Sequence, residues 1–137
     1  MMGWEDCLRK RVAKSVKEDI SLITSLAKSS KNRIESAEKL KLDEGTAASK
    51  VSLVYDSLRE ILEALAIKKG YKIYNHECYA SFLKEVLKEE SKGDEFDEIR
   101  KIRNAINYYG KEISPEDARD IMERIKELRI FLNKKYF

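Results

Sequence analysis

The chain is 137 residues long, and 39% of it is Asp, Glu, Lys or Arg, yet the net charge is only +3. That length implies a single domain spanning residues 1–137, able to bury roughly two thirds of its unfolded surface without disulfides or metal. Interleaved charge excludes a dedicated DNA-coating protein while leaving room for a local basic patch. No apolar run approaches the ~18 residues of a membrane span. The start has no signal-peptide pattern, so a cytoplasmic protein with no membrane contact is expected. The absence of glutamine and the wealth of Lys, Glu and Ile fit a thermophile.

In chain order, Trp4 to about Lys28 reads as one long first helix, with Leu8, Val12, Val16, Ile20, Ile23 and Ala27 as its stripe. Arg9, Lys10, Arg11, Lys14 and Lys17 make its other face basic. Such a cluster suits phosphate contact, and equally a solvated face, since Glu18 and Asp19 come directly after it. Ser29-Ser30 reads as a break, and a shorter helix runs from Lys31 to about Leu42 with Ile34 and Ala37 in phase. Asp43 to Thr46 is a turn, with Thr46 able to cap the next helix.

The third helix, Ala47 to Lys69, is the clearest. Ala47, Val51, Val54, Leu58, Ile61 and Leu65 recur four and three apart, and Ala48, Tyr55, Leu62 and Ala66 widen the stripe. It reads as the central helix of a bundle, ended by Gly70. Arg59 flanks the stripe as a snorkelling arginine with a surface carboxylate nearby. After the connection YKIYN, Asn75 caps a helix from His76 to about Glu90. One histidine cannot build a His-rich metal site, so no metal and no cofactor are expected. Cys7 and Cys78, far apart in sequence, read as two reduced, partly buried thiols.

Asp94 to Gly110 forms the next helix, with Asp94 as its cap, Phe96, Ile99, Ile102, Ile106 and Tyr109 as its buried face, and Gly110 as a left-handed stop. Arg103 lies at the edge of that face and Asn107 one turn on, which holds a guanidinium and a carboxamide together against a hydrophobic seam. Acids at the helix start and bases later also suit the helix dipole. Ser114-Pro115-Glu116-Asp117 is a complete start signal for the last helix. That helix carries Ala118, Ile121, Ile125, Leu128 and Leu132, with Met122 and Phe131 beside them. No strand signal and no repeat are evident. The expected fold class is all-α: an up-and-down four-helix bundle with one or two additional helices.

The segment YDSLREILEALAIKKGYKIYNHE (Tyr55 to Glu77), with IRKIRNAINYYG (Ile99 to Gly110) after it, resembles the HEPN superfamily, most of all its small stand-alone archaeal members. The likeness covers about Ser21 to Lys135. Its most specific part is Arg103-Asn104 ahead of Tyr-Tyr-Gly. The resemblance implies a homodimer whose motif helices face each other across a cleft. Many members cut RNA with an Arg, a polar residue and a later His, some as toxins paired with a small nucleotidyltransferase. Others are catalytically silent and bind nucleotide, RNA or protein.

Here Arg103 and Asn104 match, but Tyr108 stands where the histidine is expected, and His76 precedes a different helix. Metal-free RNA cleavage needs a base for the 2′-hydroxyl proton, and tyrosine, with a pKa near ~10, serves poorly near neutrality. The expectation is therefore a dimer that binds RNA or nucleotide, or docks a nucleotidyltransferase of a toxin–antitoxin pair, with weak or no nuclease activity. Arg103, Asn104, Asn107 and Tyr109 are its candidate ligand-binding residues. A ribonuclease using Arg103 with Tyr108 or Asn107 is the first alternative. A purely structural dimer, in which Arg103 and Asn107 only satisfy buried groups, is the second. The family relation also makes Tyr108 and Tyr109 candidates for modification by a partner nucleotidyltransferase.

Overall fold

The computed structural model describes residues 2–108 and 112–137, with the backbone alone at Tyr108. Among the described residues the order is α1 (Trp4–Arg9), β1 (Ala13–Ser15), α2 (Ile20–Lys39), α3 (Ala47–Lys68), β2 (Tyr71–Ile73), α4 (Glu77–Ser81), a π-helical turn (Phe82–Val86), α5 (Glu90–Tyr108) and α6 (Pro115–Tyr136). The protein is thus a mostly α-helical bundle with one small antiparallel sheet.

Side-chain pairs fix the helix directions. Ser30 meets Ser57 while Lys50 reaches back to Ala37, so α2 and α3 are antiparallel. Asp56 meets Arg103 and Ser52 meets Asn107, so α5 also runs against α3. Lys68 donates to the Tyr136 carbonyl at the shared ends of α3 and α6, which run together. The four long helices therefore go up, down, up and down.

The α3 stripe is buried as its spacing predicts: Ala47, Val51, Val54, Leu58, Ile61 and Leu65 are at most 1% exposed, although Ala48 faces solvent. Phe96, Ile99 and Ile106 from α5 join the same hydrophobic cluster, as do Ala118, Ile121, Ile125, Leu128 and Leu132 from α6. Ser114 caps α6 by accepting from Asp117 N at 3.1 Å, with Pro115 in the first turn. Gly70 closes α3 at φ +91°, a conformation that suits glycine.

The N-terminal third departs from expectation. A single helix over Trp4–Lys28 does not form. Its first part is the short α1, then β1, and α2 begins afresh at Ile20, where Asp19 accepts from Leu22 N at 3.0 Å as the cap. The expected stripe consequently fails, with Leu8 36%, Val16 37% and Ile20 72% exposed. Ser29-Ser30 is no break but lies inside α2, where Ser30 is buried and donates to the Ser57 carbonyl. β1 pairs with β2 in the register Ala13↔Ile73, Lys14↔Lys72, Ser15↔Tyr71, so YKIYN holds a strand rather than a mere connection.

Two further caps differ. Thr46 makes no side-chain cap; its hydroxyl closes the preceding turn onto Lys41 O, and the Asp43 carboxylate receives Gly45 N and Thr46 N. α5 starts at Glu90, so Asp94 is not its cap and instead pairs with Lys84 at 2.7 Å. Gly93 sits where α5 crosses the preceding turn, and a Cβ there would lie 2.8 Å from Ala80 O. The expected Gly110 stop lies outside the described residues.

The cysteines are the sharpest correction. Cys7 and Cys78 are not reduced thiols; they form a disulfide with Cα atoms 6.1 Å apart, and both are fully buried. The antiparallel pairing of β1 with β2 brings α1 beside α4, a proximity that the sequence spacing conceals. Around it, Trp4 N donates to Glu85 at 2.7 Å and Met2 N to Glu77 at 2.9 Å. Closing a 71-residue separation stabilises the fold by ~4 kcal/mol on loop entropy. Adding reductant should therefore lower the urea midpoint clearly, and the Cys7→Ser/Cys78→Ser variant should start lower and show no further response.

Candidate functional site

The site is built where the chain leaving β2 meets α5. Arg103 projects from α5 toward α3 with its side chain 15% exposed. Its guanidinium carbon stands 5.0 Å from the centre of the Tyr55 ring, a cation–π contact, and Nη2 lies 3.8 Å from Asp56 Oδ1. Asn107 completes the support. With its carboxamide oxygen turned to Arg103, it accepts from Nε at 2.8 Å and Nη2 at 3.3 Å, while its nitrogen donates to Ser52 Oγ at 3.2 Å. Asn107 thus positions Arg103 from the solvent side.

Arg103 and Asn104 border a pocket of about 440 Å³ together with Arg100, His76 and Tyr74. The structure thus brings two of the expected residues, Arg103 and Asn104, into one hollow and leaves Asn107 behind them. Tyr109 and the Tyr108 side chain lie outside the described residues. The additions are Arg100, His76 and Tyr74. Arg100 is braced by Asp97 at 2.8 and 3.1 Å. Burial tends to raise the Asp97 pKa, but the hydrogen bonds from Arg100 and Lys101 outweigh it and hold that carboxylate below its ordinary range.

The sequence places His76 before a different helix. The chain leaving β2 brings it to the pocket of the arginines. Its Nδ1 lies 3.0 Å from Tyr55 Oη. Burial lowers its pKa first, and Arg59, Arg103 and Arg100 lower it further against the opposing pull of Asp56. Burial also drives the Tyr55 hydroxyl well above its ordinary range, so it stays protonated. The imidazole is therefore neutral near pH 7 and feels a net positive field. The pocket is bordered by two guanidiniums, the carboxamides of Asn75 and Asn104, an imidazole and one carboxylate, Glu77, which accepts from Met2 N. With its two guanidiniums against one carboxylate, it suits an anion with several acceptor oxygens. No group of His, Cys, Asp and Glu among the described residues could hold a metal ion.

A larger groove of about 490 Å³ opens between α5 and α6, walled by Ile102, Ile106, Ile113 and Ile121. It has no comparable convergence of donors. No described helix is long and apolar enough to cross a membrane. Comparison of the chain with protein-family models, with curated proteins and with solved structures finds no match.

The depressed His76 pKa links to stability. Below its ordinary value of 6.5 the unfolded chain takes up a proton that the folded chain resists, so stability is full above that pH and declines as pH falls below it. Denaturant midpoints measured from about pH 7 to 5 should fall in the native protein. They should fall less steeply in His76→Gln, in a window above that where carboxylates such as Asp97 titrate.

Proposed function

We propose that this chain is a HEPN-like helical protein that uses the Arg100–Arg103–Asn104 pocket to bind a phosphate group of RNA or of a nucleotide. The observation that carries the proposal is the meeting of His76 with these residues from a separate part of the chain. The positive field on His76 supports it, since three arginines outnumber one aspartate there. Tyr55, Asp56 and Asn107 fix the guanidinium plane before a ligand arrives, which reduces the ordering cost of binding.

Binding of pyrophosphate or a nucleoside diphosphate, measured by calorimetry, tests this. Arg103→Met should weaken it by roughly 10- to 100-fold, the range for a charge-assisted hydrogen bond. Thermal stability of the same variant is the control. Unchanged affinity together with unchanged or raised stability would leave Arg103 as a packing residue, the purely structural alternative.

A ribonuclease is the second reading, and the position of His76 favours it. In such a reaction a base removes the 2′-hydroxyl proton, the 2′-oxygen attacks phosphorus, and the 5′-oxygen leaves, giving a 2′,3′-cyclic phosphate. Arg103 would stabilise the added negative charge. The tautomer of His76 separates the two readings. If Tyr55 Oη–H donates to Nδ1, then Nε2 bears the proton and can only donate to a bound anion. If Nδ1–H donates to Tyr55, Nε2 is left as a base. Nitrogen chemical shifts of the imidazole distinguish these states. Labelled RNA should remain intact at high protein concentration in the binding reading; cleavage abolished by both His76→Ala and Arg103→Ala would establish the enzyme.

Homodimerisation and a nucleotidyltransferase partner of toxin–antitoxin type belong to the same proposal. The apolar groove on α5, rimmed by Lys101 and Arg124 on one hand and Asp117 and Asp120 on the other, supports a second copy as its occupant. Light scattering on the full chain measures that directly.

A further inference from the structure

We infer that Tyr74 is a stacking platform for a nucleobase, so that the ligand of the arginine pocket is a single-stranded oligonucleotide rather than a bare anion. The inference rests on the phosphate-binding reading and specifies its substrate class. Tyr74 borders the pocket shared by Arg100 and Arg103, yet it is 58% exposed. It is the most exposed aromatic ring among the described residues. Buried neighbours would account for an aromatic in a core; nothing of that kind accounts for this one.

The β1–β2 pairing fixes the backbone that carries the ring. Tyr74 N donates to Val12 O at 2.8 Å, one step beyond the Ala13↔Ile73 pair. The alternation of the strands puts Lys14 diagonally opposite, and its ammonium lies 5.7 Å from the ring centre. The disulfide fastens the base of this wall through Cys7 and Cys78. An exposed aromatic ring therefore lies beside a cation on β1 and borders the pocket of the α5 guanidiniums. Arg11 and Lys14 border a second surface hollow of about 340 Å³. Cations around an exposed ring suit a single strand, whose phosphates pair with the cations while a base stacks on the ring.

The test uses the full chain, a short fluorescent single-stranded oligoribonucleotide, the same strand with abasic sites, and pyrophosphate. Tyr74→Ala should weaken the oligoribonucleotide roughly 5- to 100-fold, the range for one stacked base. It should leave pyrophosphate and the abasic strand unchanged. Tyr74→Phe keeps the π-face and should restore the affinity. A DNA strand of equal sequence tells whether the 2′-hydroxyl matters. Equal weakening of base-bearing and abasic strands, or none at all, overturns the stacking assignment, as does an absence of oligonucleotide binding. If Arg103→Met spares binding while Tyr74→Ala impairs it for base-bearing strands only, stacking stands and the phosphate reading falls.

Discussion

The burial of most of α3 governs the rest of the molecule. A helix covered on most sides can keep polar residues only if each is partnered, and each partner then fixes a neighbouring element. Lys50, 8% exposed, donates to Ala37 O at 2.6 Å and Leu40 O at 2.5 Å and so caps the end of α2. Glu60 takes Arg33 of α2 at 2.6 Å. Glu63 takes Lys72 of β2 at 2.7 Å and Arg59 at 3.1 Å. Asp56 faces Arg103 of α5. The polar residues of one helix thus orient α2, β2 and α5, and the site lies at the last of these junctions.

An element is legible in the sequence in proportion to the length of its signal. The apolar stripes of α3 and α6 persist over five or six turns, and both helices form close to the expected bounds. β1 and β2 are three residues each, too short for a period of two to stand out. Near the N-terminus the apolar residues happen to recur at helical spacing, which imitates one helix across a strand. Asp19 marks the true start of α2, but beside Glu18 it reads as another charge. The His76–Glu90 helix is interrupted for another reason. Its middle turn widens to π geometry, with Leu87 N donating to Phe82 O at 3.1 Å, and Lys88 turns the chain at φ 59°. Periodicity does not register a single wide turn.

The site divides in the same way. Arg103 and Asn104 are neighbours on one helix, so their pairing is visible in one dimension. His76 and Tyr74 follow β2, whose Ala13↔Ile73 pairing with β1 no sequence period reveals. The disulfide adds to this placement and bears on the expected compartment. Such a bond persists in an oxidising environment or in the interior of a hyperthermophile, and the Lys, Glu and Ile wealth of the chain accords with the second.

Arg103 is oriented by neighbours of different chemistry. The Asp56 oxygen stands at 3.8 Å, beyond a normal hydrogen bond, so this pair acts through charge rather than through a shared proton. Asn107 engages one edge of the guanidinium, and Tyr55 covers a face. The close two-point geometry goes to a neutral carboxamide, which orients the side chain without adding negative charge to the pocket. Tyr55 has a double position: one contact with Arg103 and one with His76 Nδ1. Its protonated hydroxyl ties the imidazole's tautomer to the group that also shields the guanidinium. His76, which follows β2 and Asn75, therefore sets an imidazole in the pocket of the arginine, and the Tyr55 hydrogen bond decides whether it donates or accepts.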